Sequence, residues 1–327
     1  MESGNGHETT LRVAADRRGV RYGCAVGRAF WDDNDYRELV RRQCGIIVAE
    51  NAMKFGLIQP ERGRFDWSRS DDLVRFAQDN GMDIRGHCLV WHQQAGWAAG
   101  LDEGRDAMLA VMREHIHTVV GRYRGKICEW DVVNEAVDDG DAALRDTFWR
   151  RTIGDDHIDA AFRFAHEADP GALLYYNDYG GEDMGRKSDR IYELVSGMLK
   201  RGVPVHGVGL QCHFAVDKVP TADIGRNIRR LTALGLQVAV TELDIRVPLP
   251  ADENTLALQA ACYKDVLKVF LENRGCRHFL TWGITDRYSW VPGFFKGAGA
   301  ALPFDGEYRV KPAVCGMLEV LGKEIIS

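Results

Sequence analysis

The sequence predicts one α/β domain with the (β/α)₈, or TIM, barrel fold. Eight short apolar runs alternate with eight longer segments of helical period, which is the order of elements in such a barrel. An open doubly wound sheet has a similar alternation, but no GxGxxG or P-loop motif follows an early strand here. The chain has 327 residues, of which 45% are hydrophobic, and this is enough apolar material for a single large core.

Apolar runs with the length of buried strands open each β/α unit. In chain order we predict strands at 21–27, 45–50, 83–91, 127–135, 173–178, 207–213, 237–244 and 279–286. Segments of helical period follow them at 35–43, 70–79, 105–123, 157–168, 186–201, 222–234, 254–273 and 311–322. Gly202, for example, follows the predicted helix 186–201, as a C-terminal glycine does. We expect residues 19–327 to form the barrel, and residues 1–18 to be a poorly ordered segment or to pack on it.

The charge pattern argues against nucleic acid as a partner. The formal net charge is −6, and acidic and basic residues are interspersed without a basic tail. No apolar run reaches the roughly 18–20 residues that span a bilayer, so we expect no membrane partner either. The polar start lacks the apolar core of a signal peptide, which favours a cytoplasmic protein unless a signal was removed from a secreted precursor. We expect a monomer.

The eight cysteines are scattered and include no CxxC motif. Cys88, Cys128 and Cys212 fall within predicted strands, where a buried reduced thiol is the expected state. This pattern favours a reducing compartment. Whether Cys262 and Cys276 form a disulfide stays open at this point, because their spacing does not decide it.

Polar and aromatic side chains stand at the carboxyl ends of most predicted strands, where barrel enzymes carry their active sites. In chain order they are Glu50, Asn51 and Lys54 at the second strand, His87, Trp91, His92 and Gln94 at the third, Asn134 and Glu135 at the fourth, Asn177 and Asp178 at the fifth, Gln211 and His213 at the sixth, Glu242 and Asp244 at the seventh, and Trp282, Asp286 and Trp290 at the eighth. Singly, a histidine or tryptophan in a strand is more often part of the core. Because burying so many polar groups costs free energy unless they are paired or used, together they predict a functional site.

The chemistry of this set suits a sugar. Its amide, imidazole, ammonium and carboxyl groups can bond hydroxyls, and Trp91, Trp282 and Trp290 can stack on the apolar face of a ring. Glu135 and Glu242 end strands three places apart, on roughly opposite sides of the barrel mouth. Two carboxyl groups that face each other across a cleft are what the cleavage of a glycosidic bond requires.

A metal site is the alternative use of carboxylates and histidines at strand ends. No HxH pair ends the first strand, and the spacing of His87 and His92 does not put both side chains on one face of a strand. A metal would also leave the three tryptophans without a role. We therefore expect neither a metal nor another cofactor.

Two motifs resemble the catalytic signatures of glycoside hydrolase family 10, the endo-β-1,4-xylanases. They are WDVVNE at 130–135 and VTELDI at 240–245. Further blocks resemble those of the family in the same order: AENAMKFGLIQPERGRFDW (49–67), RGHCLVWH (85–92), YYNDY (175–179), GVGLQCHF (207–214), TWGITDRYSW (281–290) and FDGEYRVKPA (304–313). The resemblance covers nearly the whole chain. It implies a (β/α)₈ barrel that hydrolyses xylan or xylo-oligosaccharides with retention, through a covalent glycosyl-enzyme intermediate.

The resemblance also implies a role for each matching residue. Glu135 would be the general acid/base and Glu242 the nucleophile, with carboxyl groups about 5 Å apart. His213 and Asp244 would support Glu242, and Asn134 would donate to the 2-hydroxyl of the sugar that is cleaved. The remaining matches would contact sugar: Glu50, Asn51, Lys54, His87, Trp91, Gln94, Asn177, Gln211, Trp282 and Trp290.

Three departures from the family pattern bear on substrate length and on sensitivity to thiol reagents rather than on the reaction. Phe55 stands where tryptophan is usual, the loop after Gln94 lacks a common proline, and Cys212 replaces a smaller residue. Activity on β-1,4-glucan or mixed-linkage glucan stays open as an alternative. A non-catalytic xylan-binding barrel would tolerate the loss of a catalytic carboxylate, and this chain has both.

Overall fold

The computed structural model describes residues 9–93, 96–101 and 103–322. Its centre is a closed barrel of parallel strands, so the predicted fold is confirmed. The barrel strands are β1 Arg21–Val26, β2 Ile46–Ala49, β3 Asp83–Trp91, β4 Glu129–Asn134, β5 Leu173–Asp178, β6 Gly207–Leu210, β8 Gln237–Pro248 and β9 Cys276–Thr281, and the short strands β7 His213–Ala215 and β10 Ala298–Gly299 pair with β8 outside this ring. Pairing of Gly23 in β1 with Leu280 in β9 closes the ring.

Helices connect successive strands and surround the barrel. They are α1 Leu11–Arg17, α2 Ala29–Asp32, α3 Asn34–Gln43, α4 Phe55–Ile58, α5 Ser68–Asp79, α6 Arg105–Arg122, α7 Phe148–Ile153, α8 His157–Ala168, α9 Arg186–Lys200, α10 Thr221–Thr232, α11 Glu253–Leu271, α12 Val291–Phe294 and α13 Pro312–Gly322. Side-chain caps begin several of them; Asp252, for example, forms a capping box with Thr255 at the start of α11. The eight long predicted helices are all present. The short ones lie in connections too brief to show a helical period.

Three predicted strands have clearly different ends in the structure. The seventh was expected at 237–244, but β8 continues to Pro248 and pairs there with β10. The sixth was expected at 207–213, but β6 ends at Leu210 because Cys212 adopts φ +63°, which breaks the extended path before β7. The eighth was expected at 279–286, but β9 spans Cys276–Thr281. The chain turns at Gly283, whose φ is +109°, and Asp286 lies in a 3₁₀ turn. An apolar run does not by itself mark where strand pairing stops.

The interior of the barrel contains a buried ionic cluster beneath the mouth. Arg85 of β3 donates from Nη1 to Oε1 of Glu129 at 2.6 Å and from Nε to Oδ2 of Asp131 at 3.0 Å. The Arg85 side chain has no solvent exposure. Nδ1 of His278 lies 2.7 Å from the second oxygen of Glu129. Because each charge has a partner, the cluster avoids the large cost of an unpaired buried ion.

The apolar core lies mainly between the barrel and the helices, with Trp130, Phe162 and Phe270 fully buried in it. Phe55 belongs to this core. Its ring is 5% exposed and stacks on His115 with 3.8 Å between ring centroids, so it does not line the mouth.

Two further observations concern the chain as a whole. Cys262 and Cys276 both carry free thiols in the structure. Among the described residues, none of the helices combines the length and apolarity needed to cross a membrane.

Candidate active site

Glu135 follows the carboxyl end of β4 in a conformation that is rare for a residue other than glycine, with φ +58°. Its N–H donates to the carbonyl oxygen of Asn177 at 2.8 Å, and Nε of Arg145 donates to its carbonyl oxygen at 3.0 Å. Such a conformation costs on the order of 1–3 kcal/mol and tends to occur at functional sites. The two bonds hold it in place and turn the side chain away from the direction of the strand.

The side chain of Asn177 connects the two predicted catalytic carboxylates. Its Nδ2 donates to Oε1 of Glu242 at 2.7 Å and to Oδ1 of Asn134 at 2.8 Å. Nδ2 of Asn134 in turn donates to Oε1 of Glu135 at 3.0 Å. Gln211 donates to the same Glu135 oxygen, also at 3.0 Å. A chain of two amide side chains, Asn177 and Asn134, therefore links Glu242 to Glu135. The two carboxylates belong to one site.

His213 sits between two carboxylates of β8. Its Nδ1 lies 2.9 Å from Oδ2 of Asp244, and its Nε2 lies 3.3 Å from Oε2 of Glu242. Burial lowers the pKa of His213, but attraction to Asp244 and hydrogen bonds to both carboxylates outweigh it and raise the pKa to about 10. The ring is therefore an imidazolium at neutral pH and donates from both nitrogens. It places a positive charge beside Glu242.

Glu135 has donors on its second oxygen as well. Nε1 of Trp91 donates to Oε2 of Glu135 at 2.7 Å. Nδ1 of His92 lies 3.6 Å from the same oxygen, which is beyond hydrogen-bond distance. Burial lowers the pKa of His92, and the charge of Glu135 offsets this only in part. His92 is therefore a neutral ring next to the carboxyl group at neutral pH.

A second polar cluster lies at the ends of β2 and β3. Nζ of Lys54 donates to Oδ1 of Asn51 at 3.0 Å, and Nδ2 of Asn51 donates to Oε1 of Glu50 at 3.1 Å. Lys54 also lies over the ring of Trp91, 4.8 Å from its centroid, which is a cation–π contact. Burial raises the pKa of Glu50, and the nearby Lys54 offsets this only in part. The cluster presents charged and amide groups of the kind that bond sugar hydroxyls.

The ionic cluster inside the barrel positions His87. Nδ1 of His87 lies 2.9 Å from Oδ2 of Asp131, and Asp131 is itself held by Arg85. This fixes the plane of the imidazole and directs its other nitrogen away from Asp131. The ring of His87 packs edge-on against Trp282, with 5.2 Å between centroids.

Trp282 and Trp290 form one wall of a pocket of 210 Å³ that also reaches Glu50 and Asn51. Nε1 of Trp290 donates to Oδ2 of Asp244 at 2.8 Å, so this wall is tied to the same carboxylate that holds His213. An apolar wall opposite polar groups matches a sugar ring, which has hydroxyls at its edge and an apolar face.

The structure thus brings the sequence-predicted residues to one end of the barrel, with two qualifications. Gln94 lies outside the described residues. Asn177 has no solvent exposure and its Oδ1 accepts from Thr241 at 2.7 Å, so its whole amide is used within the protein. This geometry favours a positioning role for Asn177 over direct contact with sugar.

Several supporting residues had not been singled out from the sequence. Thr241, Asp131 and Arg145 each hold a predicted site residue; Thr241 and Asp131 lie within the two signature motifs, and Arg145 lies 10 residues after Glu135. Asp178, which the sequence indicated only as the end of the fifth strand, is buried and pairs with Lys187 at 3.0 Å. Burial raises its pKa to about 7, against the opposing effects of Lys187 and Tyr176, and the charge of Glu135 adds to the rise.

Among the described residues, no group of three or more His, Cys, Asp and Glu side chains is arranged to hold a metal ion. The acidic groups of the site are instead paired with amides, an imidazolium and indole N–H groups. Two nearly buried carboxyl groups, 8% exposed for Glu135 and 4% for Glu242, can supply one proton donor and one nucleophile.

The comparisons with known proteins agree with the motifs. Residues 10–320 match the model of glycosyl hydrolase family 10. The chain is 38% identical over 330 aligned positions to endo-1,4-beta-xylanase B of Thermotoga neapolitana, covering 99% of this chain and 95% of that protein. It is 37% identical to endo-1,4-beta-xylanase A of Fusarium oxysporum f. sp. lycopersici, covering 96% of this chain and 98% of that protein.

Solved structures give the same result. Xylanase 10B of Thermotoga petrophila RKU-1, in complex with xylobiose, superposes with a TM-score of 0.94 at 40% identity, covering 97% of this chain and 98% of that one. Native xylanase 10B of Thermotoga maritima superposes with a TM-score of 0.93, also at 40% identity, covering 96% and 98% of the two chains. The family predicted from the motifs is confirmed: this chain belongs to glycosyl hydrolase family 10.

Proposed function

We propose that the protein is an endo-1,4-β-xylanase, which hydrolyses internal β-1,4-xylosidic bonds of xylan or xylo-oligosaccharides. The observation that carries the proposal is the pair of carboxylates joined through Asn177 and Asn134, at the mouth of a barrel whose relatives are xylanases. Such a site supports glycosidic bond cleavage. Its two carboxyl groups can supply the acid and the nucleophile, its amides can bond sugar hydroxyls, and its tryptophans can contact the apolar face of a sugar ring.

In the first step, the carboxylate of Glu242 attacks C1 of the sugar to be cleaved. The bond from C1 to the glycosidic oxygen breaks, and Glu135 donates its proton to that oxygen as it leaves. The His213 imidazolium supports this assignment, because its Nε2 lies 3.3 Å from Oε2 of Glu242 and holds that oxygen in place while the other oxygen is bonded by Asn177.

In the second step, water attacks C1 of the glycosyl-enzyme. Glu135, now a carboxylate, takes a proton from the water, and Glu242 leaves as a carboxylate. Each step inverts C1, so the product keeps the β configuration. Trp91 and Gln211 donate to the two oxygens of Glu135 and can hold it in place in both protonation states.

The remaining side chains suit the glycone part of the substrate. Asn134 can exchange its bond to Glu135 for one to the sugar 2-hydroxyl, a contact that gains strength in the transition state. Glu50, Asn51 and Lys54 supply hydroxyl partners beside the tryptophan wall. The two carboxyl groups provide both the acid and the nucleophile, so the proposed reaction needs no cofactor. We also propose that the protein acts as a monomer, which size-exclusion chromatography with light scattering would test.

Product analysis would test the proposed function. Linear xylan, carboxymethyl cellulose and barley glucan are incubated separately with the enzyme, and the anomers are followed by proton NMR at early times. We expect β-anomeric xylo-oligosaccharides to appear first, and from xylan only. First appearance of α-anomers would exclude Glu242 as a nucleophile. Equal turnover of the glucans would replace the xylan preference with a broader specificity, and no turnover at all would favour a binding barrel.

A further inference from the structure

Cys212 lies between two side chains that contact different carboxylates of the proposed catalytic pair. On one side, Nε2 of Gln211 donates to Oε1 of Glu135 at 3.0 Å. On the other side, Nε2 of His213 lies 3.3 Å from Oε2 of Glu242. The backbone of Cys212 therefore sets how these two contacts are placed relative to each other.

This backbone adopts a conformation that is uncommon for a residue other than glycine. The φ of Cys212 is +63°, in the left-handed region, whereas β6 before it and β7 after it are extended. Cys212 is also fully buried, where an unpaired N–H would cost free energy. Such a conformation persists only where the surrounding contacts determine it. The groups that hold Cys212 are consequently important for the geometry of the site.

Glu182 holds the N–H of Cys212 from a distant part of the chain. Its Oε1 accepts from that N–H at 2.8 Å, although the two residues are 30 positions apart. Glu182 is 3% exposed, and the mechanism described above gives it no role. Burial raises the pKa of its carboxyl group, and the N–H of Cys212 opposes this rise. A buried carboxyl group costs free energy, so its use as an acceptor here explains its presence.

The loop that carries Glu182 is itself attached to α10. Nδ2 of Asn227 donates to the carbonyl oxygen of Gly181 at 2.7 Å, and Nε of Arg230 donates to Oδ1 of Asn227 at 2.8 Å. Asn227 is buried, like Glu182. A continuous series of hydrogen bonds thus runs from α10 through this loop to Cys212.

We propose that Glu182 is a positioning residue for both carboxylates of the proposed catalytic pair. Its carboxyl group holds Cys212 in the left-handed conformation, so that the two neighbours of Cys212 reach Glu135 and Glu242. Glu182 acts through Cys212 and not by contact with the sugar. The inference rests on the proposed xylanase function and adds a residue on which the placement of both its acid/base and its nucleophile depends.

Two substitutions of similar length separate the acceptor from the packing of Glu182. Glu182→Gln keeps an oxygen that can accept from Cys212, whereas Glu182→Met fills the space and leaves the buried N–H without this acceptor. On xylohexaose, we expect Glu182→Met to lower kcat about 10-fold or more with little change in KM, because small displacements of catalytic groups slow the chemical step. Glu182→Gln should keep most of the wild-type kcat. Steady-state kinetics measures both, with thermal melting as a check on folding.

A neighbouring carboxylate provides the matched control. Oδ1 of Asp183 accepts from the N–H of Gly185 at 2.8 Å, so Asp183→Ala removes an acceptor from the same loop and should leave kcat unchanged. An aryl xylobioside with an acidic phenol needs little protonation by Glu135, so its rate reports mainly on Glu242. We expect Glu182→Met to slow this substrate as well. Equal losses in Glu182→Gln and Glu182→Met, or no loss in Glu182→Met, would overturn the proposed role.

Asn227→Leu gives a second test, which also applies if Glu182→Met does not fold. It releases the carbonyl oxygen of Gly181 from α10 and should lower kcat with little change in KM, but less than Glu182→Met does. An unchanged kcat in this variant would contradict the series of contacts that begins at α10.

Hydrogen exchange provides a readout that does not depend on catalysis. Mass spectrometry of a peptide that spans residues 207–216 should show faster amide exchange in Glu182→Met than in wild type or Glu182→Gln. Unchanged exchange in Glu182→Met would overturn the proposed hold on Cys212, whatever the activity of the variant. A wild type that does not hydrolyse xylan would instead count against the proposed function, so the two failures are distinguishable.

Discussion

Nδ2 of Asn177 donates to Oε1 of Glu242 across 2.7 Å, although the two residues are 65 positions apart in the chain. The same amide nitrogen donates to Asn134, the neighbour of Glu135. A single buried side chain thus sets the spacing of the proposed nucleophile from the proposed acid. Its own orientation depends on Thr241, which donates to the other end of the amide at 2.7 Å.

This relationship predicts a graded effect of two substitutions. Asn177→Ala removes a donor to Glu242 and a donor to Asn134, and we expect kcat/KM on xylan to fall about 100-fold or more, as with the loss of other preorganised donors. Thr241→Val removes only the group that orients Asn177 and should cost less. Steady-state kinetics on xylohexaose, with thermal melting as a check on folding, would measure both. A larger loss in Thr241→Val than in Asn177→Ala would contradict the role of Asn177.

Glu135→Ala should affect substrates according to their leaving groups. An aryl xylobioside with an acidic phenol needs little protonation, so we expect its turnover to suffer much less than that of xylan. Azide can attack the glycosyl-enzyme without a general base and should restore part of the rate. The measurement is kcat on both substrates with and without azide. Equal failure on both, with no effect of azide, would show that Glu135 is not the acid/base.

Glu242→Gln should abolish turnover of both xylan and aryl xylobioside, because the glycosyl-enzyme can no longer form. The amide is close in shape to the carboxyl group, so binding of xylo-oligosaccharides should persist. Isothermal titration calorimetry and a product assay on the same preparation would test this. Substantial residual turnover, after contamination by wild type is excluded, would contradict the nucleophile assignment.

His213 should make the stability of the protein depend on alkaline pH. Its pKa is raised to about 10 in the folded protein, against about 6.5 in an unfolded chain. The stabilisation that this difference provides is fully present below pH 6.5 and is lost as the pH rises towards 10, because unfolding in this range releases the His213 proton and a higher pH favours that release. The free energy of unfolding of the wild type, measured with urea, should therefore be lower at pH 9.5 than at pH 6.

His213→Asn serves as the comparison in this experiment, because it cannot carry the charge. We expect the loss of stability between the two pH values to be smaller in the variant than in wild type. An equal loss in both proteins would mean that other groups account for it and that the charged state of His213 is misassigned.

Much of the fold was predictable because the information is local. The eight long helices show their period within the sequence, and five of the eight barrel strands lie close to the predicted apolar runs. The predicted ends of the sixth and eighth strands were wrong, since Cys212 and Gly283 adopt positive φ values within otherwise extended stretches. Backbone conformation at such single positions depends on tertiary contacts, which a hydrophobic pattern does not encode.

By itself, the sequence determined the fold class, the family and the set of side chains at the mouth of the barrel, because strand order and residue spacing decide which side chains point to that end. Only the tertiary structure decided how those side chains pair. The bond from Asn177 to Asn134 joins positions 43 apart, and the stack of Arg69 on Trp31 joins α5 to α2. Such contacts form only after the barrel closes, so no local pattern in the chain records them.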